Sequence, residues 1–357
     1  MTPDPEHDPE KWLPVFGKRS CSTNAALITH GGDLGDARRL FPSAPEPFID
    51  LSTGINPHSY PLPQLLPEVF ARLPDAAALA RLTAAAARAY GAPSPRHVVA
   101  APGTQSLLPL TAALVPPGRA AVLGPTYAEH VRVAALVGHR ATEVAEVGGL
   151  ADADLAIVVN PNNPDGRIVG RETLLSLAER QKRRGGLLVV DEAFMDVASP
   201  DASLGGHVAH ESIVVLRSFG KFYGLAGVRL GFALAAPDIA ARLKATLGPW
   251  AVAGPAIAIG EAALGDLSWA QPMRERLGRE AQQLDAALMD AGIAVVGGTS
   301  LFRLVRTPAA GELFCHLGCA GLFVRRFAEQ PSWLRLGLPP DAAAWARLHA
   351  ALAAFPR

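Results

Sequence analysis

Cysteine, net charge and long apolar runs are all scarce in this chain of 357 residues. Its three cysteines are too few and too unevenly spaced for the disulfide framework of a small secreted domain. A formal net charge of +0 gives no indication of a nucleic-acid or anionic-membrane partner. No apolar run approaches the roughly 18 residues that a membrane-spanning helix needs. The remaining composition, 49% hydrophobic and 18% charged, is globular, and the length suits one large and one smaller domain.

One cluster, Cys315-His316-x-x-Cys319, has the residue types of a metal site. We predict no metal there, because the segment is typical of an amphipathic helix packed on the core and no second ligand pair exists. The start of the chain is acidic and rich in proline, and it lacks the basic-then-apolar order of a signal peptide. We therefore expect a mobile tail over residues 1–25 and a cytoplasmic protein.

Apolar runs of strand length alternate with helical segments in the first two thirds of the chain. An Ala-rich helix over 76–90 is closed by Gly91, with Pro93 just beyond it. The expected strands that follow lie at 98–101, 120–123, 141–146, 155–159, 187–190, 213–216 and 229–234. This alternation predicts an α/β fold with a mostly parallel sheet covered by helices on both faces.

The segment from Ser218 to Arg229 is rich in glycine and contains Lys221. It follows the apolar run 213–216, which is typical of a buried strand. Lys221 is either a solvated loop lysine or an amine that holds a carbonyl compound covalently. In the second interpretation, Ser218 and Arg229 are available for a phosphate.

Three predicted strands end in Asn163, Asp191 and Lys221, which are 28 and 30 residues apart. Because the carboxyl ends of parallel strands meet at one edge of a sheet, we expect these side chains to lie where such sheets bind ligands. An acid, an amide and an amine match pyridoxal 5'-phosphate. The acid keeps the pyridine nitrogen protonated, the amide bonds the ring oxygen and the lysine holds the aldehyde.

On these motifs the chain resembles the fold-type I pyridoxal-phosphate enzymes of the class I and II aminotransferase family, from about His30 to Leu338. Within that family it is similar to two groups, the threonine-phosphate decarboxylases of cobalamin biosynthesis and the histidinol-phosphate aminotransferases. The resemblance implies a large domain with a mostly parallel central sheet, a smaller α+β domain and a homodimer. Leu73 stands where many relatives have a tyrosine that reaches the neighbouring subunit, so that one contact is in doubt.

The resemblance also assigns the cofactor site. The loop Gly103-Thr104-Gln105 binds the cofactor phosphate, together with Ser218 and Arg229, although alone it would pass for a tight turn. Tyr127, in Gly124-Pro-Thr-Tyr127, stacks on the pyridine ring unless it is a core tyrosine. The same pattern gives Asn163, Asp191 and Lys221 the roles stated above.

The substrate side rests on fewer residues. Arg335 matches the arginine that grips a substrate carboxylate, although it would also pass for a surface arginine at a strand end. Arg325 is expected to meet a second anion, and Asn56 lies in a stretch that lines the pocket of relatives. The segment His30-Gly31-Gly32 precedes that stretch, and its histidine either bonds the substrate or faces solvent.

Two features favour the decarboxylases. Phe194 stands where histidinol-phosphate aminotransferases usually carry a tyrosine, and these aminotransferases generally have no segment like His30-Gly-Gly. We therefore expect decarboxylation of a phosphorylated amino acid, O-phospho-L-threonine, to (R)-1-aminopropan-2-yl phosphate. The alternative is transamination of histidinol phosphate with 2-oxoglutarate. A catalytically silent scaffold is disfavoured because Lys221, Asp191 and Asn163 are all present.

The domain boundaries follow from where the strand and helix alternation weakens, near residue 245. Beyond it we expect a long helical region over 255–290, strands near 293–296, 302–306, 322–325 and 333–337, and a closing helix from 340. We therefore divide the chain after the tail into three parts. Residues 26–75 contribute to the active site and the small domain, residues 76–245 form the large cofactor-binding domain, and residues 246–357 form the small C-terminal domain.

Overall fold

The computed structural model describes residues 31–356. Its helices are α1 (Leu34–Leu40), α2 (Glu68–Ala71), α3 (Ala76–Tyr90), α4 (Thr104–Ala112), α5 (Glu129–Leu136), α6 (Arg171–Arg184), α7 (Phe219–Phe222), α8 (Pro237–Leu247), α9 (Gly254–Gly265), α10 (Leu267–Asp290), α11 (Ala310–Cys319) and α12 (Ala342–Ala354). Its strands are β1 (Ile49–Asp50), β2 (Val98–Ala101), β3 (Arg119–Leu123), β4 (Arg140–Val144), β5 (Leu155–Val159), β6 (Leu187–Asp191), β7 (Ile213–Ser218), β8 (Gly231–Ala235), β9 (Ala294–Thr299), β10 (Phe302–Arg306), β11 (Leu322–Phe323), β12 (Arg325–Arg326) and β13 (Trp333–Gly337).

Seven strands form the central sheet, in the order β2-β8-β7-β6-β5-β3-β4. Neighbours from β7 to β4 are parallel, while β8 runs antiparallel to both β7 and β2. The mostly parallel sheet predicted from the sequence is therefore confirmed. Helix α3, which precedes the sheet, begins at the cap Asp75 and ends at Gly91, whose φ of 72° suits glycine.

Both faces of this sheet are buried, because alternate residues of each strand enter two different cores. In β5, Ala156 and Val158 join the core that contains α3 and α6. Leu155 and Ile157 join the core that contains α4, α5 and α8. The near-continuous apolar strands seen in the sequence are the consequence of this double burial.

The second sheet has four antiparallel strands in the order β12-β13-β10-β9. The N-terminal segment joins this part of the molecule through β1, which pairs in parallel with β11. The predicted helical region over 255–290 is two helices, separated at Asp266, which caps α10. The single strand expected at 322–325 is instead two short strands in different sheets.

Helix α11 carries the Cys315-x-x-x-Cys319 cluster, as predicted, but Cys319 is exposed rather than packed in the core. The buried face of this helix consists of residues such as Leu313 and Leu317. Within residues 31–356, no group of histidine, cysteine and acidic side chains has the arrangement needed to hold a metal ion. In the same range, no helix combines the length and apolarity required to cross a membrane.

Candidate active site

The polar residues singled out in the sequence converge at the carboxyl edge of the central sheet. Strands β3, β5, β6 and β7 end there. Asp191 is the last residue of β6, and the other strands are followed by their respective polar residues Tyr127, Asn163 and Lys221. Gly103 follows the end of β2, and Arg229 precedes the start of the reversed strand β8. The topology therefore brings together side chains that are separated by up to 126 residues in the sequence.

An anion cradle is formed by Gly103, Thr104, Ser218 and Arg229. Gly103 is the N-terminal cap of α4 with a φ of 83°, and a Cβ placed on it would lie 2.8 Å from a guanidinium nitrogen of Arg229. The hydroxyls of Thr104 and Ser218 are hydrogen-bonded to each other at 2.8 Å. Two hydroxyls, a guanidinium and free N–H groups at a helix N-terminus make a suitable phosphate site.

Lys221 lies in α7, directly after β7. Its Nζ lies 5.8 Å from the centroid of the Phe194 ring. Burial, and then the positive charge of Arg335, lower the pKa of Lys221 to about 8, although Asp191 acts in the opposite direction. Near pH 7 about a tenth of this amine is therefore neutral and nucleophilic, far more than for a lysine of ordinary pKa.

Asp191 is buried at the end of β6. Its Oδ2 lies 2.9 Å from Nε2 of His130, and its Oδ1 accepts a hydrogen bond from the backbone N–H of Ala193 at 3.1 Å. The carboxylate is therefore held from two sides. It retains lone pairs with which to accept a proton donor from the open side of the site.

Asn163 lies in a turn that is itself tightly bound. The neighbouring Asn162 accepts a hydrogen bond from the hydroxyl of Thr126 at 2.6 Å and donates to Asp165 at 2.8 Å. Gly166 packs directly on the backbone of Gly298 in β9, which leaves no room for a side chain at Gly166. The turn thus joins the central sheet to the four-stranded sheet.

One arginine of the four-stranded sheet contacts this turn, and a second arginine lies opposite the first on the neighbouring strand. Arg335 in β13 is buried; its Nη1 donates to Oδ1 of Asn163 at 2.6 Å and its Nη2 to the carbonyl of Ser52 at 2.7 Å. Burial, and then the charge of Arg325, lower the pKa of Arg335 to about 9. Arg325 in β12 is its cross-strand partner. Among the described residues, neither forms a salt bridge with a carboxylate.

Like charges opposite each other on paired strands are destabilising. Moreover, Nε of Arg335 is buried without a hydrogen-bond partner among the described residues. Two adjacent cations with unused hydrogen-bonding capacity are typical of a site for an anionic ligand.

An apolar wall of two aromatic rings lies beside both Lys221 and Arg335. The rings of Phe194 and Phe302 meet edge to face at 5.0 Å, and the guanidinium of Arg335 lies over Phe302 at 5.1 Å. A Cβ at Gly54 would come within 3 Å of both rings, so the position requires glycine. Phe194 therefore occupies a place beside the lysine but offers no hydroxyl to a ligand there.

The N-terminal segment contributes less directly. His30 lies outside the described residues, so its role stays a prediction. Gly31 packs on the carbonyl of Ser52, and the N–H of Gly32 donates to the Ser52 hydroxyl at 2.8 Å. Since the carbonyl of Ser52 also accepts a hydrogen bond from Arg335, these glycines lie close to Arg335.

Asn56 is buried, and both polar groups of its side chain have protein partners. Its Nδ2 donates to the carbonyl of Phe222 at 2.8 Å, and its Oδ1 accepts from the N–H of His58. Its backbone N–H donates to the carbonyl of Lys221 at 2.9 Å. Asn56 therefore anchors the lysine segment, and its expected contact with substrate stays a prediction.

Sequence reasoning missed three residues next to the site: His130, Glu129 and Ser52. His130 contacts Asp191, and Glu129 contacts Gln105 at 2.7 Å. The available signal for His130 was its position three residues after Tyr127, in the turn that leads into α5, where its backbone N–H donates to the carbonyl of Tyr127 at 3.2 Å. The rings of Tyr127 and His130 indeed meet edge to face at 5.9 Å.

Comparisons with known proteins identify the family of the chain. A family model described as aminotransferase class I and II matches residues 47–344. The chain is 44% identical over 339 residues to a threonine-phosphate decarboxylase from Sinorhizobium sp, covering 92% of this chain and 98% of the relative. It is 42% identical over 332 residues to a threonine-phosphate decarboxylase from Pseudomonas aeruginosa, with the same coverage of both chains.

A solved structure shares the fold. The histidinol-phosphate aminotransferase from Sinorhizobium meliloti in complex with pyridoxal-5'-phosphate aligns with a TM-score of 0.76 at 23% identity, covering 93% of this chain and 98% of that one. The predicted family and fold are confirmed by these matches. The chain belongs to the class I and II aminotransferase family and has the fold-type I architecture of its pyridoxal-phosphate enzymes.

Proposed function

We propose that the protein is a pyridoxal-phosphate-dependent threonine-phosphate decarboxylase. It removes carbon dioxide from O-phospho-L-threonine and yields (R)-1-aminopropan-2-yl phosphate for cobalamin biosynthesis. The structural observation that carries the proposal is the pair of opposed arginines, Arg325 and Arg335, beside a lysine of lowered pKa. The two full-length relatives, which are named threonine-phosphate decarboxylases, support this substrate.

The residues at the sheet edge fit the cofactor. The cradle of Gly103, Thr104, Ser218 and Arg229 suits its phosphate, because Gly103 has no Cβ to block the guanidinium. Asp191 suits the pyridine nitrogen and Lys221 the aldehyde, while Asn163 is the amide for the ring oxygen. Pyridoxal phosphate supplies an electron sink for the pair of electrons that the leaving carboxylate releases.

The protein's own contribution is orientation and proton handling. Arg335 and Arg325 hold the two anionic ends of the substrate, so the carbon–carbon bond to the carboxylate is fixed relative to the ring plane. The Lys221 amine, with a pKa of about 8, can carry the proton that replaces carbon dioxide on the substrate carbon. The Phe194–Phe302 wall keeps water from that side of the amine.

We expect purified protein with bound cofactor to release carbon dioxide from O-phospho-L-threonine without any 2-oxo acid acceptor. Product analysis by NMR should identify 1-aminopropan-2-yl phosphate. Free L-threonine should have a kcat/KM lower by about 10²-fold or more, because the cation that meets the phosphate is left unpaired. Efficient glutamate formation from histidinol phosphate and 2-oxoglutarate, with inert phosphothreonine, would reverse the assignment.

Neighbouring arginines on β12 provide a matched control for that assay. Arg325 faces Arg335, whereas Arg326 is exposed and stacks on Phe314 at 4.0 Å. Arg325→Gln should raise KM for phosphothreonine, and Arg326→Gln should leave it near the wild-type value. Equal effects of the two substitutions would remove Arg325 from the substrate site.

We also propose that the protein is a cytoplasmic homodimer, in which residues 76–245 hold the cofactor and residues 246–357 form the smaller domain. Exposed apolar side chains are concentrated on the segment before α3 and near it, namely Leu62, Leu66, Phe70, Leu73 and Trp250, each at least 60% exposed. A monomer rarely leaves such a patch uncovered. A second copy is the occupant that the family resemblance favours.

Sedimentation should therefore give a dimer for the wild-type protein. Phe70→Glu should shift it towards monomer, because a charge would be buried at the interface. Met289→Glu is the control, since Met289 is 72% exposed at the end of α10 in the other part of the molecule. A wild-type monomer that remains fully active on dilution would contradict the dimer.

A further inference from the structure

A buried carboxylate, Glu129, lies behind the aromatic side of the site and has no role in the chemistry described so far. It is 4% exposed, at the start of α5. Arg132, one turn later, donates two hydrogen bonds to it at 2.8 and 2.5 Å. A bidentate arginine contact of this kind favours the ionised carboxylate.

Gln105 connects this carboxylate to Tyr127. Its Nε2 donates to Oε2 of Glu129 at 2.7 Å, and its Oε1 accepts from the Tyr127 hydroxyl at 3.2 Å. A glutamine side chain has one donor end and one acceptor end, and a flip would exchange them. Because an ionised carboxylate only accepts, Glu129 requires the amide N–H₂ on its side. The carbonyl must then face Tyr127, whose hydroxyl must donate.

We propose that Glu129 is a positioning residue of the cofactor site, acting through Gln105 to fix the ring of Tyr127. Gln105 lies in the first turn of α4, whose N-terminus belongs to the anion cradle. The hydrogen bonds from Glu129 to Gln105 and from Gln105 to Tyr127 therefore connect the anion cradle to the ring of Tyr127. The proposal rests on the proposed cofactor, since its purpose is to hold Tyr127 against the pyridine ring.

The same contacts set the ionisation of Tyr127. Burial raises the pKa of Tyr127 to about 12, with further contributions from Glu129 and Asp191, whereas Arg325 and Arg132 act in the opposite direction. A negative neighbour disfavours the phenolate, and a positive neighbour favours it. Removing the charge of Glu129 should therefore lower the pKa of Tyr127, and removing that of Arg132 should raise it.

The first experiment uses cofactor-free protein and needs no catalytic activity. Phenolate absorbance is titrated against pH in wild type, Glu129→Gln and Arg132→Gln, and the Tyr127→Phe protein identifies the contribution of Tyr127. We expect opposite shifts in the two charge variants. A shift of the same sign in both, or none in Glu129→Gln, would overturn the coupling of Glu129 to Tyr127.

The second experiment measures the cofactor. Glu129→Gln and Gln105→Met should each weaken pyridoxal-phosphate binding about three- to tenfold, the effect of one lost hydrogen bond. Both should alter the visible circular dichroism of the bound cofactor, which reports the tilt of its ring against Tyr127. The double variant should bind the cofactor no more weakly than either single variant, because both substitutions break the same series of hydrogen bonds. Arg132→Gln leaves Glu129 and Gln105 in place, so it should change affinity and spectrum less than either of those variants.

Each outcome decides a separate point. Wild-type affinity and dichroism in both Glu129→Gln and Gln105→Met would overturn the positioning role, even if the wild-type protein is an active decarboxylase. Failure of the wild-type protein to bind the cofactor would instead overturn the proposed function, and the phenolate titration would still test Glu129. If Glu129→Gln does not fold, Gln105→Met decides, because Gln105 is exposed and its replacement leaves the core intact.

Discussion

Replacing Lys221 with alanine is expected to lower turnover by about 10⁴-fold or more, the upper end of what a proton-handling group supplies. The variant should also lose the covalent linkage to the cofactor, because no other amine is placed at the described sheet edge. Borohydride reduction followed by peptide mapping measures this directly. Lys244→Ala, which changes an exposed lysine on α8, should behave as wild type. A reduced cofactor that maps to a lysine other than Lys221 would invalidate the site.

The lowered pKa of Lys221 makes the same linkage dependent on pH. The amine is charged below its pKa of about 8 and neutral above it, and only the neutral form attacks an aldehyde. Capture of the cofactor by cofactor-free protein should accelerate with a midpoint near pH 8 and then level off. Arg335→Met should move that midpoint upwards, since the charge of Arg335 lowers the pKa of Lys221. A wild-type midpoint at the ordinary lysine value would contradict the buried site.

Asp191→Asn is expected to retain much of the cofactor but to lose at least about 10²-fold in turnover. An amide does not stabilise a protonated pyridine nitrogen as a carboxylate does, so the ring withdraws fewer electrons. The cofactor absorbance and the steady-state rate, measured on the same sample, separate binding from chemistry. Turnover near the wild-type rate would mean that Asp191 does not face the ring nitrogen.

His130 supplies the comparison for that variant. Its Nε2 lies 2.9 Å from Oδ2 of Asp191. Replacing His130 removes this contact but leaves the negative charge of Asp191 in place. His130→Asn should therefore cost much less than Asp191→Asn. If the two losses were equal, the orientation of the carboxylate would matter as much as its charge.

The sequence predicted the parts of this fold that depend on local pattern. Buried strands such as 155–159 and 333–337 were placed correctly because each carries an uninterrupted or alternating apolar run between turn residues. Residues at the carboxyl ends of the parallel strands, such as Asp191 in β6, could be assigned to one edge because parallel topology alone brings strand ends together.

Contacts between separate helices and strands could not be predicted from the sequence. Glu129 looks like a solvated charge at a helix start, and only the packing of α5 on α4 buries it next to Gln105. Ser52 binds Arg335 through its backbone carbonyl, so its side chain carried no signal. The two short strands at 322–326 were merged in the prediction because no turn residue separates them; they differ only in the partner they find in space.

The reversed strand β8 determines how independent the proposed cofactor anchors, Lys221 and Arg229, are from the proposed substrate anchors, Arg325 and Arg335. Because β8 runs against β7, its first residue, Gly231, pairs with the last residue of β7, Ser218. The segment that connects β7 to β8 therefore begins and ends next to the same pair of hydrogen-bonded residues. It contains both Lys221 and Arg229. The distance between Lys221 and Arg229 therefore depends only on this segment, whose two ends are fixed in the central sheet. A displacement of the four-stranded sheet would carry Arg325 and Arg335 with it and leave the spacing of the cofactor anchors unchanged.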